Sequence, residues 1–306
     1  MSLPHFQYFA PRTLDEAVAL LAAPGGLARV FAGGTDLLPR LEKRLVRAET
    51  LVDLKRIPEL RAIACDPTAG LTIGATVRLA ELLEVPEVQK SYPAMAEAAS
   101  QTATVQIRNM GTIAGNVCNG SPCADSVPVL IARGARLALQ SPRGERFLPI
   151  GDFCKGPGET ALAPDELLVR IHVPPPPPAT AFAFAKLPAR THVDISAVNV
   201  GVMVTRRGGA VSEARIVLGA VGPTPLRAHQ AEARLAGATL SAKLLEEVGE
   251  LAASETRPID DVRASAVYRR AMTAVLVRRA LVVAATRAGL GLGDAAPAGH
   301  ATGGEG

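Results

Sequence analysis

The stretch Ile107-Arg108-Asn109-Met110-Gly111-Thr112-Ile113-Ala114-Gly115-Asn116 decides how this chain is read, together with an earlier stretch of the same character, Ala32-Gly33-Gly34-Thr35-Asp36-Leu37. Both mix glycines with hydroxyl-bearing residues. Glycine has no Cβ, so successive backbone N–H groups can converge on anionic oxygens without a clash. Neither stretch is the dinucleotide fingerprint G-x-G-x-x-G, and neither is a P-loop, because no Gly-Lys-Ser/Thr follows. Either one alone reads more readily as a tight turn after a strand. Two of them, the second followed by Ser121-Pro122-Cys123-Ala124-Asp125, read as two sides of a site for a diphosphate-like anion.

Working outward, residues 29–32 read as a strand feeding the first glycine loop, and Leu37, Leu38, Leu41 and Leu45 as a helix directly after it. A helix start suits an anion, since its first N–H groups are unpaired and partly positive. Upstream, Thr13-Leu14-Asp15-Glu16 is a capping box heading Leu14, Val18 and Leu21 at helical spacing. Residues 50–54 read as the next strand. A second unit opens near Ile57, with a strand at 71–75, a short helix at 79–84, and a helix opened by Pro93 and running to 100. The second glycine loop, an apolar helix after Asp125 and a hairpin of 136–140 with 145–149 follow. A strand at 167–173 then runs into five prolines at 174–178, which cannot continue a sheet and favour a stiff extended connector. The third unit has strands at 181–187, 196–205 and 214–220 and helices at 226–235, 242–253 and 264–285. A Gly- and Ala-rich tail from 289 lacks any pattern and is expected to be disordered. The expected organisation is a domain over 1–177, divided into about 1–56 and 57–177, a second domain over 178–288, and the tail over 289–306.

A chain of 306 residues can bury a sizeable core and usually divides into more than one domain. No apolar run reaches the length that spans a bilayer. Met1-Ser2-Leu3-Pro4-His5 has no basic region followed by an apolar core, so no secretory signal is expected. Four cysteines, at 65, 118, 123 and 154, do not make a disulfide framework, which points to a reduced, cytoplasmic setting. Cys118 and Cys123, with no second pair beside them, are a poor zinc signature. The five histidines are dispersed and form no Ser/His/Asp or Cys/His set, so nucleophilic catalysis has no support. The chain is mildly basic, at +4, but it lacks tryptophan and has no basic block, which argues against nucleic acid. Arg257, Arg263, Arg269, Arg270, Arg278, Arg279 and Arg287 in the last helical region read as a solvated face or as a docking surface for another subunit.

The Ala-Gly-Gly-Thr-Asp-Leu loop, the Arg-Asn-x-Gly-Thr-Ile-Ala-Gly-Asn stretch and the Ser-Pro-x-Ala-Asp segment, in that order, resemble the FAD-binding medium subunit of the molybdenum hydroxylases, the relatives of xanthine dehydrogenase and carbon monoxide dehydrogenase. Phe153 to Gly158 and Tyr268-Arg269-Arg270 also fit, and the likeness runs over about 6–285. It implies an α+β fold: a two-part FAD-binding domain of the vanillyl-alcohol-oxidase-like (PCMH) type, then a smaller α+β domain with an antiparallel sheet and helices. It implies non-covalent FAD on this chain, with molybdopterin on a large partner subunit and two [2Fe–2S] clusters on a small one, in a dimer of heterotrimers. The flavin would pass electrons from the clusters to an external acceptor.

By the same resemblance, Ala32, Gly33, Gly34, Thr35 and Asp36 would wrap the FAD diphosphate from one side. Gly111, Thr112, Ile113, Gly115 and Asn116 would form the other wall. Ser121 and Asp125 would meet cofactor hydroxyls, a carboxylate being able to accept two hydroxyl hydrogens at once. Asp125 reads equally as a helix N-cap. Leu167 and Leu168 would approach the flavin ring, or are ordinary strand core, and Lys186 would stand near the flavin, or is a surface cation. The family's Phe-Phe is Phe153-Cys154 here. The alternative function is a stand-alone FAD-dependent oxidase or dehydrogenase of the same fold acting directly on a small substrate.

Overall fold

The structure, a computed structural model, describes residues 3–25, 27–189 and 193–291. The chain opens with β1 (Gln7–Phe9), α1 (Leu14–Leu21), β2 (Ala28–Phe31), α2 (Leu37–Glu42) and β3 (Thr50–Asp53), and the strands form a parallel sheet in the order β1-β3-β2. The Thr13 hydroxyl caps α1 through the Glu16 N–H, while the Glu16 carboxylate reaches back to the Arg12 N–H. α2 ends one turn earlier than the leucine spacing predicts. Arg44 turns the backbone to φ 58°, and Leu45 is left 68% exposed instead of extending the helical stripe.

Next come β4 (Ile63–Asp66), β5 (Gly70–Gly74), α3 (Leu79–Leu83), α4 (Pro86–Ser91), α5 (Pro93–Ser100), α6 (Val105–Arg108), α7 (Ile113–Cys118), α8 (Ser126–Ala132), β6 (Arg136–Ser141) and β7 (Gly144–Pro149). The small hairpin β8 (Cys154–Gly156) and β9 (Glu159–Thr160) and the strand β10 (Leu167–Val173) complete this part. Its antiparallel sheet has the order β4-β5-β10-β6-β7, so β10 enters between strands laid down earlier. Its buried core runs from Val52 and Leu54 through Ile113, Leu137 and Phe153 to Val173.

Beyond the prolines, β11 (Thr180–Pro188), β12 (Ser196–Arg207), β13 (Ala210–Gly219) and β14 (Leu226–Arg227) form an antiparallel sheet covered by α9 (His229–Leu235), α10 (Ala242–Ser254) and α11 (Ala266–Arg287). The sequence expects helix from 226, but Leu226 and Arg227 pair with β13 before α9 starts. The fold is α+β. The expected tail falls beyond 291, outside the described residues, apart from its first three positions.

The third sheet is laid directly on α8. Gly201 of β12 has no room for a Cβ, which would sit 2.6 Å from the Pro128 carbonyl carbon. The Ala220 N–H donates to the Pro122 carbonyl at 2.7 Å. Arg133, at the end of α8, is buried between the rings of Tyr92 (4.4 Å) and Phe182 (3.9 Å), and burial brings its pKa down to about 10. The late arginines do not share one solvated face. Arg269 is buried and donates to the carbonyls of Ala197 and Ala220 and to Asp261, and Arg287 reaches Glu97 and the Phe182 carbonyl. Arg270 and Arg279 stay exposed.

Candidate functional site

β2 delivers the chain at Phe31 to the first glycine stretch, and two glycines there are obligatory for different reasons. Gly34 has φ +71°, and the Phe31 ring occupies the space a Cβ would need. At Gly33 a Cβ would lie on the Met110 carbonyl oxygen and 2.8 Å from the Gly111 Cα. The two glycine stretches therefore meet backbone against backbone.

The second stretch is not one open loop. α6 ends at Arg108, the chain turns through Asn109–Gly111, and α7 begins at Ile113, so Gly115 and Asn116 lie inside a helix. The Thr112 hydroxyl caps that helix by accepting the Gly115 N–H at 2.9 Å. A Cβ on Gly115 would press on that same hydroxyl at 2.9 Å. Among the described residues, the backbone N–H groups of Gly33, Gly34, Thr35 and Asp36, and of Thr112 and Ala114, find no protein acceptor.

These groups line a cleft of about 450 Å³. Of the residues singled out from the sequence, Ala32, Gly33, Gly34, Thr35, Asp36, Gly111, Thr112, Gly115, Asn116, Ser121, Asp125, Leu167, Leu168 and Lys186 all line it. Ile113 does not. Its side chain is 2% exposed and belongs to the core of the middle sheet, because the first residue of α7 turns inward under the cap. Asn116 accepts a hydrogen bond from the Ser126 hydroxyl, and Ser121 accepts one from the Cys123 N–H.

Asp125 stands at the start of α8 without capping it. Its carboxylate is instead held from the third sheet. Lys186 Nζ donates to Oδ2 at 2.7 Å, and the Ser196 hydroxyl and Asn199 amide donate to Oδ1 at 2.5 and 2.8 Å. Lys186 is no surface cation: its side chain is 2% exposed, and a second donor reaches the Gln101 carbonyl at 2.9 Å. Leu167 and Leu168 are buried at the start of β10, just before the register shift at Leu168/Arg170. Next to them Glu166 is held by Arg146 and by the Ala163 N–H, interactions that keep its carboxyl low, the Arg146 hydrogen bonds first among them and burial opposing.

Other lining residues gave no sequence signal. Arg40, Thr102, Ala103, Asn119, Val193 and Ile195 carry no motif, and they reach the cleft only because α2, the turn after α5, the end of α7 and the turn leading into β12 converge there. Cys118 and Cys123 also line it. Burial pushes the Cys118 thiol up to about 12, with Cys154 adding to the effect, and burial raises Cys123 too, so these thiols are neutral small side chains at ordinary pH. Among the described residues no group of His, Cys, Asp and Glu could hold a metal ion.

The cleft suits a dinucleotide flavin. Donors without acceptors and glycines in backbone contact fit a diphosphate, and the Leu167–Leu168 wall fits an apolar ring.

Comparison with known proteins agrees. A family model described as "FAD binding domain in molybdopterin dehydrogenase" matches residues 4–176, and one described as "CO dehydrogenase flavoprotein C-terminal domain" matches 182–284. The chain is 37% identical over 284 residues to the carbon monoxide dehydrogenase medium chain of Hydrogenophaga pseudoflava, covering 93% of this chain and 98% of that one. It is 35% identical over 283 residues to the xanthine dehydrogenase FAD-binding subunit of Escherichia coli O157:H7, covering 92% and 97%. The solved carbon monoxide dehydrogenase of H. pseudoflava superposes with a TM-score of 0.90 at 38% identity, over 94% of this chain and 99% of that chain. The quinoline 2-oxidoreductase of Pseudomonas putida 86 gives 0.89 at 31% identity, over 94% and 99%. The chain belongs to the FAD-binding medium subunits of the molybdenum hydroxylase family. It is a flavoprotein component of an oxidoreductase, and no helix among its described residues is long and apolar enough to cross a membrane.

Proposed function

We propose that this chain carries one non-covalent FAD and serves as the electron-transfer subunit of a heteromeric molybdenum hydroxylase. Electrons arrive from [2Fe–2S] clusters on a small partner subunit, molybdopterin resides on a large one, and an external acceptor takes the electrons away. The observation that carries the reading is the backbone contact of the two glycine stretches, with their free N–H groups lining one cleft. Bound FAD supplies redox chemistry in one- and two-electron steps. The chain's residues supply binding and environment. Ala32 to Asp36 and Thr112 to Asn116 hold the diphosphate from two sides, and Leu167 and Leu168 give the ring an apolar wall. Lys186, fixed by Asp125, has three ammonium hydrogens and two assigned acceptors, so one donor remains for the ring's polar edge. Burial of this ion pair keeps the cation's position fixed, which favours a set potential. The complex is a dimer of heterotrimers in the cytoplasm. The exposed side chains of Ile259, Val262, Val267, Tyr268 and Arg270 serve as part of the docking surface.

The test is anaerobic. The FAD-loaded subunit is mixed with aldehydes, purines, N-heteroaromatics and alcohols while its visible absorption is followed. The absorption should persist with each of them and bleach with a low-potential donor. Rapid bleaching by one organic substrate, with no partner present, supports a stand-alone oxidase instead.

A further inference from the structure

Arg40 lies on α2, four residues after Asp36, and lines the same cleft as the free N–H groups of the first glycine stretch. The arginines and lysines lining that cleft, among the described residues, are Arg40 and Lys186. The charge of Lys186 is balanced by Asp125. Asp36 adds an acid to the lining, its carboxyl raised above the ordinary range by burial, with Arg40's charge pulling the other way. Among the described residues, a diphosphate entering this cleft therefore meets donors without net positive charge, unless Arg40 provides it.

Arg40 is poised to do so. Its guanidinium has five N–H donors, and it makes one hydrogen bond, from Nη1 to Asn119 Oδ1 at a weak 3.4 Å. Asn119 caps the end of α7, so this contact joins the two walls side chain to side chain. Arginine matches two oxygens of a phosphate at once. We infer that Arg40 is a diphosphate clamp: steadied by Asn119, it grips the FAD diphosphate from the α2 side and makes the cleft selective for flavins and nucleotides that carry a diphosphate. The inference rests on the FAD reading above and deepens it.

The full-length chain is stripped of flavin, and FAD and riboflavin are titrated by fluorescence, with ADP and adenosine as competitors. Wild type, Arg40→Gln, Arg40→Lys and Asn119→Ala are compared, and the thermal melt of each apoprotein is recorded. Arg40→Gln should raise the FAD Kd about 10- to 100-fold, the range of a charge-assisted hydrogen-bond pair. It should weaken ADP competition in parallel, leave riboflavin and adenosine unchanged, and flatten the salt dependence of FAD affinity. Arg40→Lys should fall between, and Asn119→Ala should cost FAD affinity only a few-fold. Equal weakening of FAD and riboflavin, or a lowered apoprotein melt shared by Arg40→Gln and Asn119→Ala, would make Arg40 a strut between α2 and α7 and overturn the clamp. FAD binding by Arg40→Gln equal to wild type overturns the clamp alone, whereas a wild-type chain that binds neither flavin overturns the FAD reading itself.

Discussion

At Gly33 the site tolerates no side chain, and the reason differs from the one the sequence suggests. Glycine there reads as freedom for N–H groups to approach an anion, but the structure adds that its Cα faces the Met110–Gly111 backbone. Gly33→Val should therefore separate the two walls. We expect no FAD in the purified protein and a stability loss of about 1–3 kcal/mol, the usual cost of overpacking, measured by absorption and urea unfolding. Asp261 allows a separate test of the C-terminal part. Burial would raise its carboxyl, but the Arg263 N–H and the Arg269 and Arg263 guanidiniums outweigh it and hold the pKa at about 2. An unfolded aspartate titrates near 3.9. A carboxyl depressed on folding adds stability above its unfolded value and loses it as pH falls through the folded one. The stability gap between wild type and Asp261→Asn should thus be full above about pH 4 and close by about pH 2. A gap independent of pH over that window contradicts the assignment. Arg40 shows the limit at this scale, since a lone arginine inside a helical pattern carries no mark of the cleft it faces.

At the scale of elements, Thr112 ties helix formation to the site. Its hydroxyl caps α7, and the same helix start leaves the Ala114 N–H free in the cleft. Thr112→Ala should cost about 1 kcal/mol, as lost N-caps do, and weaken FAD binding, while Thr112→Ser keeps both. Denaturant titration with and without FAD separates the two effects. The Thr13 cap, the hairpin of β6 and β7, the strand β10 and the three long strands of the last sheet were legible in the sequence, because periodicity and turn residues act locally. The end of α2 was not, since only the backbone turn at Arg44 stops it. The helical state of Gly115 was hidden too, because glycine and asparagine are poor helix formers and the cap on Thr112 overrides them. The Asp125 network was beyond reach for another reason. It joins α8 to residues of β11 and β12 more than sixty positions away, and no local pattern encodes that pairing.

For the whole molecule, the third sheet and its helices do more than pack behind the flavin domain. They bring Lys186, Ser196 and Asn199 to Asp125, and the segment leading into α11 and α11 itself expose Val262 (99%), Val267 (76%) and Arg270. Arginine and apolar side chains are both drawn to the cores of subunit interfaces, which makes these positions the ones to test. Val262→Asp with Arg270→Glu should leave FAD content and melting temperature unchanged and prevent co-purification of the partner subunits, read by size-exclusion chromatography of the co-expressed complex. The family assignment was legible because its motifs are short and contiguous, whereas which of the late arginines stay exposed was not, since Arg269 is buried by residues far away in the chain. The central claim is that this chain is a flavin carrier. The most direct measurement is the visible spectrum of the freshly purified chain, followed by acid release and quantification of the cofactor. The account predicts flavin bands and about one FAD per chain, released without proteolysis as a non-covalent ligand should be. A colourless protein that takes up no FAD on reconstitution would contradict it.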